Sequence, residues 1–349
     1  MNRDYANFDE ALEALSERGP DLRNGMTSHA PMAVEAMCAM GRSDAVLPWL
    51  GRYLPGTLPR PRAHELIEPM RWRAALSRAD RVGDWNALLD DELKEAPWRE
   101  VLDRWTERLA PGFCASAAHG VIRVGHAVRA LAQEEAPLRL RELGDALAYW
   151  AANYQELPAG PTRSPRTYRP LEAIRHVPIV PPERRVFAGT ITSSLEALGE
   201  FEEFAPVMEL VDVSGGPTAV IGELADVFTR VYLANAHDFL SSIVLIHAVT
   251  SCVALGHIVP HVRPSTAHTA VRHAWQTGCA LYAAFGTRPP ATDDGDLASD
   301  DAESLADRAI AHGDEHAIKF AEACLARYEL DRSPTYLAAV RRALATLPG

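Results

Sequence analysis

Between Asp238 and Leu255 the chain is apolar on nearly every side of a helix. A helix without a polar face is enclosed by other elements rather than laid on a surface. The remainder has the composition to enclose it. Of 349 residues, 47% are hydrophobic and 23% charged, the balance of a globular protein. The sequence therefore predicts a body with one central buried helix. His247 stands in the middle of it, within Leu245-Ile246-His247-Ala248-Val249-Thr250. A buried imidazole needs a partner, and a carbonyl, a side chain or a metal ion would each serve.

The other elements read as helices too. Residues 5–18 place Phe8, Leu12 and Leu15 on one face. Ser28 is the expected N-cap of a helix with Pro31 in its first turn, closed by Gly41. Residues 63–109 carry Trp72, Trp85, Trp98 and Trp105 in helical patterns. Further helices are expected over 115–132, 138–155, 195–208, 219–233, 266–285 and 334–347, with a bend at Gly313. The small residues of 115–132 let a neighbouring helix come close. Residues 42–62, rich in proline and glycine, are expected to wrap the surface. Residues 286–300 form a Pro/Gly/Asp-rich loop of a composition compatible with disorder. Strand signals are weak, so the expected fold is all-α, one large helical domain. The proline-dense segment 157–185 is its covering strap and the place where an internal boundary would fall.

Composition narrows the functions. A net charge of −12 argues against nucleic acid and anionic membranes as partners. With no run of about 18 apolar residues, no membrane span is expected. The acidic, polar start of the chain does not read as a signal peptide. Cys38, Cys114, Cys252, Cys279 and Cys324 are odd in number and far apart. They are expected to be reduced core residues of a cytoplasmic protein. The oligomeric state is left open.

Of 35 basic residues only Lys94 and Lys319 are lysines. Lys319 follows His316 by three residues, so the two share a helix face. It is flanked by Ile318, Phe320, Ala321 and Ala323. Either its stem lies on those neighbours with the ammonium in water, or it is held inside for its chemistry. His29 falls at the positive end of a helix, where the dipole favours neutral imidazole. It serves there as a capping residue or as a ligand. His119 lies on the small-residue helix.

Several chemistries are absent. The chain has no dinucleotide-binding glycine motif, no phosphate loop and no nucleophile elbow. It also lacks the Glu-x-x-His pair of a di-iron bundle. What remains is a set of histidines on apolar helices and one lysine. A lysine that has taken up carbon dioxide becomes a carbamate, an oxygen anion on a long arm. Imidazoles with one such anion suit iron.

Four segments, in this order, resemble the questin oxidase family of helical oxygenases. They are Asn24-Gly25-Met26-Thr27-Ser28-His29-Ala30-Pro31-Met32, Ala118-His119-Gly120-Val121-Ile122-Arg123-Val124-Gly125, Ile246-His247-Ala248-Val249-Thr250 and Asp314-Glu315-His316-Ala317-Ile318-Lys319. The resemblance implies a mononuclear iron (Fe2+) site with His29, His119, His247, His316 and carbamylated Lys319 as ligands. Lys319 and His316 would be the catalytic pair, with Asp314 orienting His316. It further implies a dioxygenase or monooxygenase of secondary metabolism. Such an enzyme oxidises an anthraquinone-like substrate with dioxygen, and Baeyer-Villiger-like ring cleavage is within that class. An external reductant such as NADPH is left open by these motifs. Two other classes fit the same residues: a zinc-dependent hydrolase and a metal-free helical binding protein. In the first reading the four histidines converge, while His126, His257, His261, His268 and His273 stay outside the ligand set.

Overall fold

The computed structural model describes residues 2–160, 166–292 and 301–349. Helix accounts for 70% of the described residues and strand for 3%, so the fold is all-α as the patterning predicts. In chain order the first elements are α1 (Phe8–Leu15), β1 (Arg18–Leu22), α2 (Ala30–Ala39), α3 (Val46–Tyr53) and β2 (Thr57–Pro59). Then come α4 (Val82–Glu95), α5 (Trp98–Leu109), α6 (His119–Gln133), α7 (Pro137–Ala152), α8 (Pro170–Ala173) and α9 (Ile191–Glu196). The chain ends with α10 (Pro217–Asn235), α11 (Phe239–Ile258), α12 (Pro264–Phe285), α13 (Ala302–His312), α14 (Glu315–Asp331) and α15 (Pro334–Thr346).

The all-round apolar stretch is α11, opened by a capping box in which Asp238 and Ser241 exchange hydrogen bonds. It packs against α6, α10, α12 and α14. By length and mean hydropathy of 2.0, Phe239–His261 has the makings of a membrane span, yet 72% of its most apolar 18-residue window is buried inside the protein. Its composition is that of a core helix. α2 packs on α6 and α14, and both of these pack on α11. α2, α6, α11 and α14 thus close a ring of four helices.

The structure departs from the expected elements in several places, among them residues 63–81, which hold only the tight turns Trp72–Ala75 and Ala79–Arg81 ahead of α4. α2 starts one residue later than expected, with His29 rather than Ser28 at the cap. α6 starts at His119 because Ser116, Ala117 and Ala118 are left-handed, with φ of 49°, 56° and 68°. The expected helix over 195–208 is broken into α9 and tighter turns around Pro206, which has no N–H to continue it. Residues 42–62 are more than wrapping: they form α3, whose Trp49 is buried and donates to the Gly313 carbonyl at 2.8 Å. They also supply β2, which pairs antiparallel with β1; two strands of five and three residues carry too little alternation to read. At Gly313 the chain stops rather than bends. Gly313 is left-handed at φ 81° and closes α13, and Asp314 caps the new helix α14.

The described parts of the proline strap, 157–160 and 166–185, lie on α12 and its neighbours. The Gly160 amide donates to Ala205, Val180 to Ala283, and Gln276 to the Pro158 carbonyl. Residues 161–165, and 293–300 of the expected loop, lie outside the described residues. All five cysteines are free and buried.

Candidate metal centre

Three helices of the ring begin at one point. His29 caps α2, His119 is the first residue of α6 and His316 the second of α14. His247 reaches the same point from the middle of α11. The His29 ring centre is 4.5 Å from that of His119 and 4.4 Å from that of His316. His119, His247 and the others thus come from helices far apart in sequence to one place. One nitrogen from each of His29, His119 and His316 lies within 4.8 Å of the other two, a set that could hold a metal ion. His247 extends it through His119, since their Nε2 atoms are 3.1 Å apart. It stands further from His316, at 5.8 Å between ring centres.

The hydrogen bonds fix two of the rings. The Nδ1–H of His119 donates to the Ser116 carbonyl, and that of His247 to the Ile243 carbonyl at 2.6 Å. A carbonyl only accepts, so each Nδ1 carries the proton. Burial first, and then the neighbouring His247, His316 and Lys319, hold both imidazoles well below their usual range. Both are therefore neutral, and two bare Nε2 lone pairs face each other. That contact is repulsive without a shared cation, and a metal ion relieves it. His29 is likewise held low, by burial and then by Lys319. Nδ1 of His29 and of His316 is buried without a hydrogen-bond partner. These donors fit a metal.

Lys319 is 2% exposed, so the ammonium does not snorkel to water. Burial draws it down to about 8, against the attraction of Glu315 and Asp314. An amine in that range keeps a share of free base near neutrality, the form that adds carbon dioxide. Asp314 accepts from the backbone amides of His316 and Ala317 at 2.9 and 3.0 Å. Its carboxylate is 3.6 Å from the His316 Nδ1, so it acts as a helix cap beside the ring.

The other histidines have separate partners. His126 pairs with Glu35 at 2.6 Å, His257 with Arg129 at 3.2 Å and His273 with Gln276 at 3.4 Å. His261 lies against Trp98. Neither these four nor His268 belongs to the set that meets around His29.

A cavity of about 440 Å³ opens over the centre. Its walls include Met26, Phe187, Ile191, Phe239, Leu240 and Ile243 beside all four histidines. None of the tryptophans lines it; Trp85, Trp105, Trp150 and Trp275 are fully buried core residues. The segment over the cavity is 187–192, just beyond the proline strap. Sequence reasoning did not find Thr27 and Ser116, which also line the cavity. Thr27 lies within the first family motif without being a metal-ligating residue type, whereas the left-handed turn that presents Ser116 has no glycine to mark it.

Fold and site define an all-helical protein with a buried histidine centre suited to a metal. The chain belongs to the questin oxidase-like family, whose model matches residues 29–324. That span contains His29, His119, His247, His316 and Lys319. No match was found among curated proteins.

Proposed function

We propose that the protein is a mononuclear non-haem iron oxygenase that oxidises or ring-opens a polycyclic aromatic or quinone substrate. The observation that carries this is the pair of bare Nε2 atoms 3.1 Å apart at the floor of an apolar cavity. His29, His119, His247 and His316 would hold the metal, with Lys319 as carbamate. Four nitrogens and an oxygen exceed the four-coordinate preference of zinc and suit iron. Iron, when bound, supplies the one-electron chemistry that lets dioxygen react with a closed-shell aromatic.

The chain's own groups do the rest. The carbonyls of Ser116 and Ile243 keep the Nε2 atoms of His119 and His247 free of protons. Phe187, Phe239 and Ile243 exclude water and bury a flat ring. Burial favours the free amine of Lys319, the form that adds carbon dioxide, over its ammonium. The family's oxidase description and the cavity together support a quinone-like substrate over a hydrolysable one.

Metal analysis of the purified protein, followed by oxygen uptake with a hydroxyanthraquinone, tests the reading. About one iron per chain and iron-dependent uptake are expected. Zinc with oxygen-independent turnover would replace the oxygenase by a hydrolase. Protein free of metal and inert to oxygen would leave a binding protein.

A further inference from the structure

Three hydroxyls from three segments meet in the cavity wall. Thr27 Oγ1 lies 2.6 Å from Tyr149 Oη, and Ser116 Oγ lies 2.8 Å from the same atom. The third edge, Thr27 Oγ1 to Ser116 Oγ, is 3.3 Å. Three hydroxyls have three protons, so all three contacts are satisfied when each donates to the next around the ring. The ring is uneven. Both short edges end on Tyr149, which is 3% exposed. The long edge joins Thr27 and Ser116, the two members that line the cavity. At 3.3 Å that edge is well beyond the usual hydroxyl–hydroxyl distance and weak.

We infer that this edge is a subsite for a ring hydroxyl of the substrate, an inference that rests on the proposed aromatic substrate. A phenolic hydroxyl inserted between Thr27 and Ser116 donates to one and accepts from the other. The proton circuit then runs ligand, Thr27, Tyr149, Ser116 and back to the ligand, with each oxygen donating once and accepting once. A methyl ether or a quinone carbonyl accepts one bond and donates none. A bare ring edge does neither, and leaves the two wall hydroxyls as they were. The subsite therefore ranks ligands by hydroxyl, then by ether or carbonyl, then by hydrocarbon edge.

The backbone shows what holds it there. Ser116 opens three consecutive left-handed residues without glycine, a conformation costing about 1–2 kcal/mol per residue. The same turn gives the Ser116 carbonyl to His119 and the Ser116 hydroxyl to the cavity. Ser116 thus fixes a substrate oxygen relative to the histidine centre, and with it which end of a flat molecule faces the metal. Ser116→Ala removes the hydroxyl and leaves the carbonyl contact, because Ala117 and Ala118 already hold that backbone geometry.

The test is anaerobic equilibrium binding of 2-hydroxyanthraquinone, 2-methoxyanthraquinone and anthraquinone, followed by the ligands' own absorption. The proteins are the wild type, Ser116→Ala, Thr27→Val and Tyr149→Phe. Two hydrogen bonds gained predict a wild-type preference for the hydroxyl over the bare ring of about tenfold. Ser116→Ala and Thr27→Val should each bring the hydroxyl ligand down to the methoxy level. Anthraquinone itself should stay within about twofold, a split that general loss of structure does not produce. A wild type that binds all three alike, or wall variants that keep the preference, would overturn the subsite and leave the proposed function standing. Failure of the wild type to bind any of the three overturns both.

Discussion

At the scale of single residues, Lys319 carries the most chemistry per atom. Its side chain is enclosed, and its charge is felt at His29, His119 and His247. Arginine cannot form a carbamate, and its guanidinium would set a permanent positive charge beside a cation. Lys319→Arg should therefore lose the metal, although length and charge are nearly kept. Lys319→Glu restores the anion on a shorter arm and should retain part of it. Metal content of the two variants, read against wild type, checks this. Wild-type occupancy in Lys319→Arg would remove Lys319 from the ligand set.

At the scale of elements, the histidines meet because helices come close. A Cβ at Gly125 on α6 would lie 2.5 Å from the Ala254 carbonyl oxygen and 2.7 Å from the Ala254 Cβ on α11. Backbone on the far side cannot yield, so Gly125→Ala must move α6 away from α11. The cost expected for such overpacking is about 1–3 kcal/mol, measurable by urea unfolding. Because His119 and His247 sit on these two helices, metal affinity should fall as well. A variant that binds metal as tightly as wild type would show the pair to be held by something other than this contact. The small residues of this stretch were legible as a close-packing face, as was the enclosed character of α11. The convergence of His29, His119, His247 and His316 was suggested by their apolar helices and ordered by the family motifs. Other parts were illegible for physical reasons. The turn at Ser116 breaks the conformational preference of serine and alanine, so no local propensity could announce it. The ion pairs of Glu35 and Arg129 look in sequence like any solvated charges, since only the tertiary fold buries them.

At the scale of the whole molecule, those ion pairs form a second layer beneath the histidines. Arg129 on α6 binds Glu35 of α2 at 2.5 and 2.9 Å, binds Glu322 of α14, and meets His257 of α11 at 3.2 Å. Each helix of the ring thus supplies one histidine above and one partner below. Arg129, Glu35 and Glu322 are 4%, 1% and 3% exposed. Removing one member of such a set leaves buried charge without compensation, so Arg129→Met should cost about 3–5 kcal/mol. The same layer contributes to the response to acid, alongside the buried His29, His119 and His247. Burial and then Arg129 hold the His257 imidazole well below its usual range, so the folded protein keeps it neutral. The unfolded chain takes up that proton near pH 6.5, so stability is full above that value and falls as pH drops below it. Burial opposes ionisation of Glu35, but Arg129 and the His126 hydrogen bond outweigh it and hold the carboxyl far below its ordinary range. Its contribution is present above about pH 4.3 and is lost as pH falls further. The melting temperature of the metal-free protein should therefore change little close to pH 7, decline below about 6.5, and decline again below about 4.3. In Arg129→Met the second decline should shrink, because Glu35 loses the cation that holds it ionised. Thermal unfolding followed from pH 8 to 4 reads both steps, and a melting temperature that rises on acidification from 7 to 5 would contradict a neutral, buried His257.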